Sequence, residues 1–356
     1  MPTHTADRHN SPRELFVSVA GLLLLGSSPT LLYSVLDWGV LFGGITWPHP
    51  IRTLATALNV ATTVLQIAWL AWLLSTRTRS ARPWHRALLV ISISVIAGLV
   101  VRGLLQHPDG PHLHEEPVRS ALLAWLCYEL YRWHGIPLSA PAAASPRLVR
   151  WDTAWRMTAM VWLYMGTGAI STYGTVLALR WFGPDWLPVM RTDQLTALGV
   201  TSVPDLLTYG LVWTVVLEGT VIAATAILLS AARRPVWQIY SVIAVIEIMF
   251  HAYFGVPALF MGLYAVLCTN FYLRHHRLAP VLIAHALFDT IGLLVSGYPL
   301  LTKIPYLLAL SVPLEMAECW LAVKSGRRAY YFRRPTLIIP VKWRTDRPQA
   351  GESIGA

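Results

Sequence analysis

Long apolar stretches separated by short polar ones run the length of the chain, and that alternation limits what it can fold into. Ten such stretches lie at 15–36, 51–75, 87–105, 118–133, 157–180, 206–230, 236–254, 256–273, 279–296 and 305–324. Each is long enough, or nearly so, to cross the roughly 30 Å of hydrocarbon in a bilayer. Composition points the same way. Hydrophobic residues make up 55% of the 356 and charged residues only 13%, against about 25% charged in a typical soluble domain. One soluble core cannot hide that much apolar surface. The 16 Trp and 14 Tyr exclude disorder. The expected fold is all-α, a polytopic membrane helix bundle with about ten transmembrane helices. Residues 37–50 are apolar but broken by Gly and Pro, and are expected to form a loop or re-entrant piece on the far side.

The charges give the expected orientation. Every second loop is basic: Arg8 and Arg13 in the N-tail, Arg77, Arg79, Arg82 and Arg86 after the second span, then Arg132, Arg147, Arg150 and Arg156 after the fourth. Arg233 with Arg234, and Arg274 with Arg277, continue the series into a C-tail holding Arg327, Arg328, Arg333 and Arg334. The opposite loops are neutral or acidic, as at Asp185, Asp193 and Asp205. Basic loops mark the cytoplasmic side, so both termini are expected there. The net charge of +10 is thereby accounted for without nucleic acid. The polar start and the run that follows, with no small-residue cleavage site, read as a first span and not as a cleaved leader. The expected location is the bacterial cell membrane, with the lipid bilayer as the surrounding partner.

Residues 134–150 are rich in Pro, Ala and Ser. They suggest a four-span N-terminal lobe over 1–133, a cytoplasmic linker over 134–156, a six-span core over 157–326 and a basic cytoplasmic tail over 327–356. Cys127, Cys268 and Cys319 sit in apolar stretches with no CxxC pair, so they read as buried thiols and not as a disulfide or zinc framework.

Six acids fall within the expected spans: Glu129, Glu218, Glu247, Asp289, Glu315 and Glu318, joined by His251 and His285. A charge at bilayer depth costs about 2.5–3.5 kcal/mol on insertion scales, so such groups mark function where they face protein or water. Glu129 lies near a cytoplasmic end, where it can snorkel. Glu247 and His251 are four residues apart, as are His285 and Asp289, and residues four apart share a helix face. With Glu218 in the middle of the sixth span, three helices can turn polar groups into one pocket. A carboxylate with two imidazoles can deprotonate water and bind the resulting oxyanion.

From Leu217 to Leu294 the chain resembles the CPBP family, the CAAX-protease and bacteriocin-processing (Abi) membrane proteins. That family carries EExxxR, then FxxxH, then HxxxN or HxxxD. The third motif is present as HALFD, His285 to Asp289. It follows a basic turn and an apolar stretch with Pro, as in the family. His251 matches the second motif's His. Glu218, 33 residues earlier, suits the first Glu of the EE pair, and Arg233-Arg234 falls where the family often has such a pair. The second Glu is replaced by Gly219, the Arg of the first motif by Ala223, and the Phe of the second by Glu247. The resemblance covers about 80 residues. It implies a CPBP-like core that is an intramembrane glutamic endopeptidase, with no metal or cofactor. Glu218 would activate water, and His251, His285 and Asp289 would stabilise the oxyanion. Glu247 would restore a second carboxylate, or Arg102 or Arg180 would repair the lost ion pair. The implied substrate is a membrane-embedded peptide.

Other readings of the same residues stay open. The fold could carry acid–base chemistry on a lipid-like or isoprenoid substrate, which the new acid at Glu247 favours. The lost EExxxR favours a non-catalytic scaffold. A proton-coupled transporter would use groups such as Glu315 and Glu318. His107, His112, His114, Glu115 and Glu116 crowd one loop, but Pro and Gly make it a flexible turn more than a metal site. No GxxxxGK or GxSxG occurs, so neither nucleotide-driven nor serine-hydrolase chemistry is indicated.

Overall fold

The computed structural model describes residues 11–77, 83–106, 116–136, 147–192, 215, 219–294 and 320. Among them the chain is helical, without a strand of its own. The helices are α1 (Pro12–Gly26), α2 (Ser28–Gly43), α3 (His49–Arg77), α4 (Pro83–Gln106), α5 (Glu116–Trp133) and α6 (Arg147–Phe182). After a gap come α7 (Gly219–Ala231), α8 (Val236–Phe250), α9 (Leu259–His275) and α10 (Leu278–Leu294).

The expected apolar stretches recur as helices with two departures. The first stretch is a broken pair: α1 and α2 meet at Ser27 with a bend of 44°. Ser11 caps α1 by accepting the Glu14 N–H at 3.2 Å, and Pro29 falls in the first turn of α2. At the break the Gln66 side-chain amide of α3 donates to the Leu25 carbonyl, which replaces a bond lost from the helix ladder. Residues 37–43, expected as part of a loop or re-entrant piece, are the end of α2, in the bent pair. Gly44 stops that helix in the left-handed region, φ 60°, a conformation glycine adopts without steric cost. The second departure is α6, which reaches back to Arg147, into the stretch expected as linker.

Two helical stretches, His49–Thr76 and Val256–His275, are long and apolar enough to cross a membrane, and the bent α1–α2 pair is a third if taken as one span. Gly219–Ala231, Val236–Phe250 and Leu278–Gly292 are apolar but shorter. At 1.5 Å per residue, helices of 13–17 residues reach roughly 20–26 Å, less than the full hydrocarbon thickness. The expected tenth stretch falls almost wholly outside the described residues. Large apolar side chains such as Leu54, Val90, Leu99, Val245, Leu259 and Ile283 point outward, a surface that a lipid environment suits and water does not.

Among the described residues the interior is a large core and a smaller cluster of Val176, Val189, Met190, Phe254 and Ala258. Leu15, Val19 and Leu22 of α1 and Leu122 and Leu126 of α5 pack in the same cluster as Ile227 of α7 and Phe271 of α9. α1 lies along α7, and α9 lies between α6 and α8. The N-terminal helices thus share this core with the later ones.

The ends of the bundle differ. At one, Arg234 stacks on Phe16, 4.1 Å to the ring centroid, the Ser18 hydroxyl is 2.9 Å from His134 Nε2, and Trp72 meets Trp133 at 5.0 Å. The start of α1 and the ends of α3 and α5 thus gather there with the arginine-bearing turns before α8 and α10. At the other end, two short 3₁₀ turns join α8 to α9: α2 packs against the first, Ala252–Phe254, and α6 against the second, Val256–Ala258.

Candidate active site

Glu247 and His251 occupy the last turn of α8 and its C-cap. Helical spacing and the end of the helix together fix their geometry. The helix stops at Phe250, so the His251 N–H still reaches the Glu247 carbonyl at 3.1 Å, and His251 Nδ1 lies 3.0 Å from the same oxygen. A carbonyl only accepts, so Nδ1 carries a proton there. Nδ1 is also 3.3 Å from Glu247 Oε2. The imidazole lies flat against Phe254, with an interplanar angle of 11°. Nε2 is then the nitrogen left to face a substrate. Glu247 is 1% exposed, and its Oε2 has no hydrogen-bond partner among the described residues.

The second pair sits on α10. His285 Nε2 is 3.5 Å from Asp289 Oδ2, and His285 is buried. At that distance a carboxylate orients an imidazole and stabilises its charge. This is a different task from direct oxyanion binding, which Asp289 would perform only as a neutral acid.

The two pairs meet. His251 is within electrostatic reach of both Asp289 and His285. Two tyrosines absent from the sequence expectations complete the surroundings. Tyr264 of α9 stands edge-on to His285, centroids 6.1 Å apart. Tyr173 of α6 packs edge-on to Phe254 at 5.6 Å and lies within reach of the Asp289 charge. No local motif marks either one; only the packing of α6 and α9 against the polar helices brings them in.

Glu218, the first-motif acid, lies outside the described residues, as do Glu315, Glu318 and the loop from His107 to Glu115. Gly219, next in the chain after Glu218, opens α7. A Cβ there would lie 2.4 Å from Leu282 Cδ2 of α10, so the glycine standing where the CPBP pattern has a second Glu is a close-packing residue. Arg180 does not repair the lost ion pair. Its guanidinium donates to the Met190 carbonyl (Nε at 2.8 Å) and the Thr192 carbonyl (3.0 Å) at the far end. Arg102 is exposed. Cys127 and Cys268 are free and buried. Among the described residues no three His, Cys, Asp or Glu side chains converge as a metal site.

The arrangement is two carboxylate–imidazole pairs on separate helices of an apolar bundle, with Glu247, His251 and His285 buried and Asp289 partly exposed. It can exchange protons and donate hydrogen bonds where bulk water does not compete. Comparison with protein-family models, curated proteins and solved structures finds no match to this chain in any of the three.

Proposed function

We propose that the chain is an intramembrane endopeptidase-like hydrolase of the CPBP type. It sits in the bacterial cell membrane with about ten spans and both termini cytoplasmic. Its substrate is a membrane-embedded peptide segment. What supports this above all is the pairing of Glu247 with His251 and of His285 with Asp289 on separate helices within electrostatic reach of one another, with Glu247 buried. An acid kept in that state is costly to folding, and a general base is a role that repays the cost.

Glu218 is the base by resemblance to the family, and Glu247 is the second carboxylate. The carboxylate takes a proton from water as the water oxygen attacks the peptide carbonyl carbon. His251 and His285 donate hydrogen bonds to the oxyanion. When the C–N bond breaks, the carboxyl proton passes to the departing amine. Positioned acid–base groups of this kind contribute about 10²–10⁴-fold. Cleavage of candidate membrane peptides in defined lipid, compared among wild type, Glu218→Gln and Glu247→Gln, tests the assignment. A loss of at least 100-fold is expected in one variant, and equal rates in all three would refute it.

A second reading keeps the pocket and changes the substrate to a lipid or isoprenoid. The acid at Glu247, where the family has Phe, favours it. In that case Glu247→Gln abolishes turnover of an isoprenoid lipid while no peptide is cut by the wild type.

A further inference from the structure

A narrow cavity of about 30 Å³ runs beside α9. Tyr264, Cys268, Thr269 and Tyr272 line it from α9, α7 and α10 contribute further walls, and Glu247 stands at one end. Residues 264, 268 and 272 are successive i, i+4 neighbours, so the lining is a single stripe about 12 Å long. A cavity holds a water once roughly 10–15 Å³ is open to the probe centre, provided polar partners are at hand. Partners are present: Glu247 Oε2 and Thr269 Oγ1 are both buried, and neither has a hydrogen-bond partner among the described residues. Buried polar atoms left in that state are rare unless water completes them.

The cavity also has a direction. The upper end abuts Glu247 and Tyr264, beside the two histidines. The lower end reaches Tyr272 and Val281. Tyr272 is one turn before His276, with ring centroids 6.3 Å apart, and Val281 is in the first turn of α10. Both adjoin the turn that carries Arg274 and Arg277.

We propose that this cavity is a water-holding passage that brings water and protons to the Glu247 carboxyl from the arginine-bearing end of the bundle, with Thr269 as a positioning residue. Its use in hydrolysis rests on the function proposed above; the passage itself does not. A hydrolase buried in lipid needs such a supply, because its co-substrate is scarce where the bond is cut.

Cys268 provides an internal reporter. Its S–H stretch falls in a region of the infrared spectrum clear of other protein bands, and loss of the band in Cys268→Ser assigns it. The full-length protein in nanodiscs is switched from H₂O to D₂O buffer. The Cys268 S–H band is expected to disappear at least tenfold faster than that of Cys127, which is also buried but does not line the cavity. Thr269→Leu fills the passage and is expected to slow Cys268 exchange at least tenfold with Cys127 unchanged, while Thr269→Ser matches wild type. Val281→Phe narrows the lower end and is expected to do the same, which covers the case of a misfolded Thr269 variant. Exchange at Cys268 no faster than at Cys127, or unaffected by both filling substitutions, overturns the passage. Fast exchange without cleavage of any substrate leaves the passage standing and removes the hydrolase. Cleavage with slow exchange does the reverse.

Discussion

Gly219 and Glu247 are the two positions at which the chain departs most plainly from the CPBP pattern it resembles. The CPBP pattern places paired acids on one helix. Here the second of them is a glycine pressed against Leu282, and an acid appears instead at the end of α8, beside His251. A side chain at 219 would have to displace the tip of Leu282, whereas Glu247 reaches His251 through the i, i+4 geometry of its own helix. His276 is a titratable residue outside the spans whose surroundings disfavour its charge. It caps α9 in the left-handed region, φ 47°, and burial pulls its imidazole below the ordinary value of 6.5. The neutral form is favoured in the folded state, so above pH 6.5 it has no effect on stability. As pH falls below 6.5 the unfolded chain takes up the proton more readily and stability declines. Melting temperature measured from pH 7.5 to pH 5 is therefore expected to fall less steeply in His276→Gln than in wild type. Parallel curves would count against the burial of that ring.

At the scale of elements, the turn joining α8 to α9 decides where His251 points. It is held by a single antiparallel bridge between Val189 and Gly255. Met190 N–H donates to the Phe254 carbonyl at 3.1 Å, and Val256 N–H donates to the Pro188 carbonyl at 2.9 Å. Gly255 has φ 76° and ψ −140°, and a Cβ on it would lie 2.1 Å from the Pro188 carbonyl oxygen. No rotamer relieves a clash with backbone, so the bridge must open. Gly255→Ala is expected to cost about 2 kcal/mol or more and to lower the melting temperature by several degrees. A melting temperature within a degree of wild type would show that the bridge is not needed. This junction was not legible in the sequence, because it pairs backbone atoms 66 residues apart and leaves only a lone glycine as its mark. The helices themselves were legible, since fifteen or more consecutive apolar residues have few other ways to satisfy their backbone. So were both i, i+4 pairs of the site, which follow from helical pitch alone. The break at Ser27 was signalled by Gly26, Ser28 and Pro29, yet the hydropathy of the stretch ran straight through it. Tyr173, Tyr264 and Thr269 could not be read in advance, because their roles depend on which faces of α6 and α9 turn inward.

At the scale of the molecule, the charge pattern and the packing bear on one another. Loop charges alone divide the chain into alternating sides. Independently, contacts place Arg234 with Phe16, His134 with Ser18, and Trp72 with Trp133 at one end. The loop carrying Asp185 lies at the opposite end, paired with the turn after α8. α6 is consistent with this: its 36 residues measure about 54 Å, well beyond the hydrocarbon thickness. The excess is its first turns, which carry Arg147, Arg150 and Arg156 and would stand in cytoplasmic water. Exposed Trp181, Phe182 and Trp186 at its other end have the character of an interfacial aromatic belt. A bilayer drawn across the bundle then has one basic face and one aromatic face. In the orientation proposed above, the basic face is the cytoplasmic one. In a variant with the three natural cysteines replaced by serine, Asp185→Cys is expected to react with a membrane-impermeant maleimide on intact cells. Ser80→Cys, in the loop between α3 and α4, is expected to react only after lysis. The inverse result would turn the whole bundle over, and with it the side from which water reaches Glu247. Equal labelling of both positions would place the two ends in one compartment and remove the membrane from the account altogether.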